Sequence, residues 1–433
     1  MAERFFMPRA TAFDGNGDPI PGGKLEFYVA GTSTPLATYS DAGLTVANAN
    51  PVIADSAGRF GEIFLISGEE YKVILKDADN ATIWTADPYV EIAVEAPDVS
   101  PVFYANRIVN GAMLISQQNT TSNVDTTTGA AYTLDQWEAV LSTTPGGTLR
   151  VAQNATVTPQ GSPYRLRATA QVSDGTIAAA NYYMLRQQIE GWRVSNALLG
   201  TSGAKALILR FGVRSSVSGT FGLSICNGAV NRSYATTYQI AAGEVSTDVV
   251  RTVVIPGDVA GTWTTAETAG LMVRWCLAAG TDFQGAANTW TGADIITTSA
   301  QTNFMGTGSA TFDLFDVALY VDTAGSSVAP TYEFPRYEDE LAACQRYWWK
   351  TGRAMLVQGF DSSGAWAQRA HVSFPVEMRV APTSTNSTSF PTNVASAIIE
   401  NIGTGGAQFS VTSSGAGGFY IIYDATVSFS ARL

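Results

Sequence analysis

Charge is scarce in this chain: Asp, Glu, Lys and Arg make up 14% of its 433 residues, against about 25% in an average soluble protein. The 25 basic residues are outnumbered by 37 acidic ones, for a formal net charge of −12 at pH 7, and they form no basic stripe. Nucleic-acid binding, which draws most of its affinity from phosphate neutralisation, is therefore not expected. Attraction to an anionic membrane is disfavoured for the same reason. No apolar run approaches the roughly 18 residues of a helical span, so no membrane insertion is expected. The N-terminal MAERFFMPRATAFDG lacks the apolar core of a signal peptide.

Cysteine is nearly missing. Cys226, Cys276 and Cys344 are odd in number, far apart and without metal-ligand spacing, which excludes a disulfide framework. They read as buried free thiols in a chain matured in a reducing cytosol. The single histidine, His371, sits inside an alternating run, and no G-x-S-x-G elbow accompanies it. A Ser–His–Asp or Cys–His centre is thus not expected. DGNGDPIPGG (14–23) starts like a calcium loop, but Pro19 stands where glycine is required and Leu25 occupies the twelfth position, so a turn is the better reading. GTGSA (306–310) and GTGGA (403–407) lack the strand–turn–helix setting of phosphate loops. Paired carboxylates for glycoside cleavage leave no local signature, since the partners can stand far apart. No catalytic residue, metal ligand or cofactor is assigned.

What is abundant is Gly (41 residues), Thr, Ser and alternating apolar runs, a composition for strands and turns. The reading is a mainly β protein of several antiparallel β-sandwiches with one linker helix. Residues 1–97 form a small β unit, in which KLEFYVAG places Leu25, Phe27 and Val29 on one strand face. A linker at 98–106 follows. Residues 107–330, with runs such as ALILRFGVRSS, GLMVRWCLAAG and ATFDLFDVALYVD, suggest a jelly-roll-like sandwich. Within it, 182–199 reads as a strand through Gln188 and Glu190, then a short helix near Trp192 to Leu198. Residues 353–433 return to strands, GGFYIIYDATVSFSARL being the clearest.

Residues 331–352 contain RYEDELAACQRYWWK (336–350), where charges and aromatics crowd together. Pro335 suits a first helical turn. The acidic residues 338–340 suit the N-terminal end of the dipole, and Arg346 and Lys350 the C-terminal end. Leu341, Cys344, Gln345 and Trp348 share one face by helical spacing, and Gly352 suits the stop. This predicts one helix of three to four turns acting as a joint, with Tyr347, Trp348 and Trp349 buried. Trp263 (AGTWTTAE) and Trp290 (ANTWTGAD) stand among small polar residues, as loop aromatics do. With Trp137 they are the candidates for stacking on sugar faces, whereas Trp275 lies inside an apolar strand and reads as core.

Five stretches carry a resemblance. FDGNGDPIPGGKLEFYVAGTSTPLATYSDAGLTVANANPVIADSAGRFGEIFL, followed by YKVILKDADNATIW, resembles the N-terminal virion-anchoring domains of bacteriophage tail fibres and tailspikes. NRIVNGAMLISQQN (106–119), FDLFDVALYVDTAGSSVAPTYEFPRYEDELAACQRYWWK and VSFPVEMRVAPT (372–383) are similar to modules of phage tail-fibre proteins, including an E-L-A-x-C-Q-R-Y helix. The resemblance implies a virion protein made in the host cytoplasm, attached to other virion proteins through residues 1–97. It implies a homotrimer whose distal β domains contact host-surface glycan, with no enzymatic activity. A structural head fibre, collar or adaptor protein is the alternative, and a tailspike depolymerase a more distant one.

Overall fold

The computed structural model describes residues 2–5, 10–66, 68–89, 106–363, 367–424 and 426–433. The chain divides into two compact units, Met1–Val99 and Ser100–Leu433. Of the expected linker at 98–106, all but Asn106 lies outside the described residues. The mainly β reading is correct: every strand pairing between named strands is antiparallel.

In the first unit, Lys24–Val29 and Tyr71–Lys76 form the centre of a four-stranded sheet flanked by Val52–Ile53 and Thr82–Tyr89. Tyr71–Lys76 alternates strictly between buried and half-buried positions, so Tyr71, Val73 and Leu75 meet Leu25 and Phe27 in one core. Each such side chain contributes about 1.5–3 kcal/mol on burial, and a one-residue slip would turn all of them outward. Val29, at the strand end, is 36% exposed. Asp14 takes the backbone N–H groups of Asn16 and Asp18 on Oδ1, which makes DGNGD a side-chain-closed turn.

The second unit begins with a two-sheet sandwich. Its six-stranded sheet runs, in spatial order, through Val249–Ile255, Leu207–Ser215, Thr311–Val321, Arg165–Val172, Thr148–Asn154 and Val124–Thr126. Its seven-stranded sheet runs through Thr289–Thr291, Ser233–Ile240, Gly219–Asn227, Ala269–Ala279, Tyr182–Glu190, Glu138–Leu141 and Gly129–Tyr132. Inward residues of both sheets, among them Phe211, Phe221, Trp275 and Leu319, interdigitate in one core. Ala269–Ala279 is buried along nearly its whole length, Arg274 included, because both of its faces are covered. Trp275 points into the core, while on the other face Cys276 packs with Val140, Met184 and Ile296.

The remainder of the unit has three three-stranded sheets around a core of Phe409, Phe419, Ile421, Tyr423 and Phe429. Residues 100–433 nevertheless count as one compact unit, whereas the sequence suggested separate bodies at 107–330 and 353–433. The reason is the joint. Val109 and Ile115 from the sandwich pack with Cys344 and Tyr347, and the sandwich's Tyr132 hydroxyl and Gln188 amide donate to the Leu433 carbonyl.

The joint helix is shorter than its sequence suggests, spanning only Tyr337–Gln345. Arg336 is its N-cap, so Pro335 lies outside the first turn. Glu338, Asp339 and Glu340 do fall in the first turn. Trp348–Lys350 is a strand paired with Ser428–Ser430. Aromatic residues suit extended backbone, and here a partner strand offers a hydrogen-bonding edge that solvent beyond the helix would not. Trp348 therefore reaches its buried position from a strand and does not share a helical face with Leu341 and Cys344.

Candidate functional site

The three tryptophans singled out by sequence separate in the fold. Trp137 is fully buried; it packs 5.5 Å from Trp275 and donates its Nε1 hydrogen to the Asn110 carbonyl at 3.0 Å. It therefore cannot face a ligand, and the sugar-contacting role expected for it is withdrawn. The local sequence LDQWEAV begins a strand, and a tryptophan at a strand start is placed by the core behind it.

Trp263 and Trp290 come together. Their ring centroids stand 5.6 Å apart at an interplanar angle of 88°, an edge-to-face pair of the kind the ring quadrupole favours. Trp290 lies in the edge strand Thr289–Thr291 directly opposite Tyr234, whose ring is 5.4 Å away. Both indole N–H groups are spent inside the protein, Trp290 on the Pro256 carbonyl at 2.8 Å and Trp263 on Asp258 Oδ2 at 3.2 Å. Asp258 is 1% exposed and takes a two-pronged ion pair from Arg232, at 2.7 and 2.6 Å. This pins residues 256–264 against the Ser233–Ile240 strand.

Around these half-buried rings the surface is polar. Asn288 is exposed and accepts the Thr236 hydroxyl on Oδ1 at 2.7 Å, while its side-chain N–H groups have no partner among the described residues. Asn231, Thr262 and Thr289 are also exposed. The arrangement offers ring surface for apolar C–H faces and amide and hydroxyl groups for hydroxyls. It offers no nucleophile, no paired acids and no cluster of metal-ligating side chains among the described residues.

Sequence reasoning passed over Trp192. It is 42% exposed on the 3-10 helix Gly191–Ala197, flanked by Arg193 and Arg346 with guanidinium carbons 5.7 and 6.0 Å from the ring centroid. The signal was present as a tryptophan between a strand and a short helix. Among the joint residues, Cys344, Tyr347 and Trp348 are 1%, 2% and 6% exposed. Leu341 packs against the Cys344 cluster, and half-buried Trp349 stacks 5.8 Å from Phe429. His371 is an exposed residue of the strand Ala367–Ser373. No helix among the described residues is long and apolar enough to cross a membrane.

No protein-family model and no curated protein matches the chain. Among solved structures, it is similar to the enzymatically active domain of tailspike protein 4 from bacteriophage CBA120, at 9% identity and a TM-score of 0.24. That match covers 51% of this chain and 22% of the tailspike chain. It is also similar to the family 11 carbohydrate-binding module of Lic26A-Cel5E from Clostridium thermocellum, at 12% identity and a TM-score of 0.25, over 45% of this chain and 96% of the module. A third likeness is to TmCBM61 in complex with β-1,4-galactotriose, at 8% identity and a TM-score of 0.23, over 50% of this chain and 98% of the other.

Proposed function

We propose that this chain is a bacteriophage virion protein of the tail-fibre or receptor-binding kind, attached to the particle through residues 1–97 and contacting host-surface glycan through the sandwich of its second unit. The observation that carries the glycan part is the Trp263–Trp290 pair. Its two rings are held edge to face with their N–H groups satisfied internally, so what they present to a partner is ring surface, rimmed by Asn and Thr. Stacking on pyranose C–H faces is the recognition such surface suits. The sequence blocks at 12–87 and 106–119 support the virion part. The chain acts by binding and not by catalysis, and its place is in the virion.

Homotrimerisation belongs to the same reading, because single sugar contacts are weak and repetition supplies avidity. The sheet containing Met355–Asp361 and Gly417–Tyr423 carries Leu356, Phe360 and Tyr420 at 52%, 72% and 40% exposure. Leu356, Gln358, Phe360 and Tyr420 bring no charge to this face, so further copies can cover it without burying an ion.

The test is competition. The purified full chain should bind host cells, block phage adsorption and retain specific saccharides on a glycan array. Binding to neither cells nor glycans would remove the receptor role and favour a structural head-fibre, collar or adaptor protein. Release of reducing sugar from host polysaccharide would make the protein an enzyme instead.

A further inference from the structure

The six-stranded sheet carries on its outer face a cavity of about 540 Å³, lined by neither Trp263 nor Trp290. Leu207, Leu209, Phe211 and Val213 of one strand point into the core, so Arg210 between them points outward. Arg210 and Thr252 stand directly opposite each other on neighbouring strands and form the floor of the cavity. One wall is the chain at 327–332, which is fixed at both ends. Asp322 accepts the backbone N–H groups of Ser326 and Ser327 at 3.0 and 2.8 Å, and Tyr332 is buried against Ile208, Ala318 and Tyr320. Gln160 completes the lining from a turn closed by the Thr158 N–H on the Ser162 carbonyl and the Gly161 N–H on the Thr158 carbonyl. Both walls are held by bonds within the chain, so the cavity is preformed.

Most arginines of the sandwich hold a carboxylate: Arg167 with Asp313, Arg186 with Glu138, Arg232 with Asp258 and Arg274 with Asp294. Arg210 forms no ion pair among the described residues, and its Nη1 is buried without a hydrogen-bond partner, an unfavourable state for a charged donor. Its guanidinium carbon lies 5.3 Å from the Tyr332 ring centroid, a contact that steadies the group and leaves its in-plane N–H groups for a partner. The register shifts between the Arg210–Ala318 and Gly212–Phe315 pairs, and Asp316, in the shifted stretch at φ 48°, does not line the cavity. The guanidinium fork matches a carboxylate in particular. Around it, Gln160, Thr252 and Thr331 offer amide and hydroxyl groups, and Val328 and Pro330 offer apolar surface. The volume falls among small-ligand pockets, about 300–1,000 Å³, and a bare inorganic anion would leave most of it unfilled.

We propose that this cavity is a second saccharide subsite, taking an acidic sugar whose carboxylate pairs with Arg210 and whose hydroxyls meet Gln160, Thr252 and Thr331. It rests on the glycan-binding reading above but uses different residues, so the two fail separately. The test is an array of glucuronate-, galacturonate- and neuraminate-terminated oligosaccharides beside their carboxyl-reduced counterparts, probed with the full chain. At least one acidic form should bind roughly tenfold or more tighter than its reduced counterpart, with a preference that weakens as salt rises. Arg210→Gln should remove that preference with little change in the melting midpoint, since no ion pair is broken. Thr252→Tyr, which narrows the cavity from an exposed position and keeps Arg210, should weaken binding of the acidic form as well, while Trp263→Ala leaves the preference in place. Equal affinity for acidic and reduced forms in the unaltered protein overturns the subsite, as does a preference that survives in Arg210→Gln. Neutral saccharides binding through Trp263 alone would keep the proposed function and remove this inference. Retention of inorganic phosphate with no acidic saccharide bound would also overturn it.

Discussion

Glu190 and Arg346, 156 residues apart, form a two-pronged ion pair with N–O distances of 3.2 and 3.1 Å. Glu190 ends a sandwich strand and is fully buried; Arg346 caps the joint helix with 26% of its side chain exposed. The pair ties the sandwich to the segment leading into the last β region. Removing only one partner leaves a buried carboxylate uncompensated, which costs about 3–5 kcal/mol, whereas replacing both is far milder. Arg346→Met should lower the thermal midpoint clearly, and adding Glu190→Gln should restore much of the loss. Calorimetry on the two variants checks this, and an unchanged midpoint in Arg346→Met would mean that the pair contributes nothing.

The same pair sets a pH dependence. Burial works against the ionised Glu190, but hydrogen bonds from Arg346, Tyr347 and Trp192 outweigh it and hold the carboxyl below its ordinary value of 4.5. The unfolded chain therefore takes up this proton at higher pH than the folded chain. Its stabilisation is present above the ordinary carboxylate value and is lost as pH falls through the depressed one. Melting the protein from about pH 6 down to about pH 3 should show a steeper decline than in the Glu190→Gln/Arg346→Met variant. Parallel curves would rule this contribution out.

The tryptophans should divide by role. Trp263→Ala and Trp290→Ala should weaken glycan or host-cell binding by roughly tenfold while the fold persists. Trp137→Ala should instead destabilise by about 3–5 kcal/mol, because it empties a core position and strips the Asn110 carbonyl of its donor. Binding titrations corrected for the folded fraction separate the two outcomes, and a binding loss confined to Trp137→Ala would invert the assignment.

Phe360 is the test of self-association. At 72% exposure on an uncharged sheet face, it contributes little to the fold of one copy. Phe360→Asp should therefore leave the melting of the individual chain nearly unchanged and shift the mass measured by light scattering from trimer to monomer. A trimer that persists in the variant would place the interface elsewhere.

All three cysteines are buried and free. Burial raises each thiol, that of Cys276 to about 12, which suppresses the reactive thiolate at neutral pH. The native protein should resist alkylation, and all three should react once it is denatured. Fast labelling of the native protein, located by mass spectrometry, would identify a thiol more accessible than its position implies.

Much of this was legible from residues alone. The strict alternation of YKVILK specified its strand face, since a period of two can bury only every other side chain. The even spacing of apolar runs and turns indicated antiparallel β-structure, and the acidic start of YEDELAACQ marked a helix. Sequence could not show where that helix ends, because the preference of YWW for extended backbone acts only when Ser428–Ser430 arrives beside it from the far end of the chain. Nor could it separate Trp137 from Trp263 and Trp290. Burial is decided by which side of a sheet the core lies on. Local pattern determined the elements. The meetings between distant residues that build its sites were decided by tertiary packing, because they depend on side chains whose separation in sequence carries no information about their separation in space.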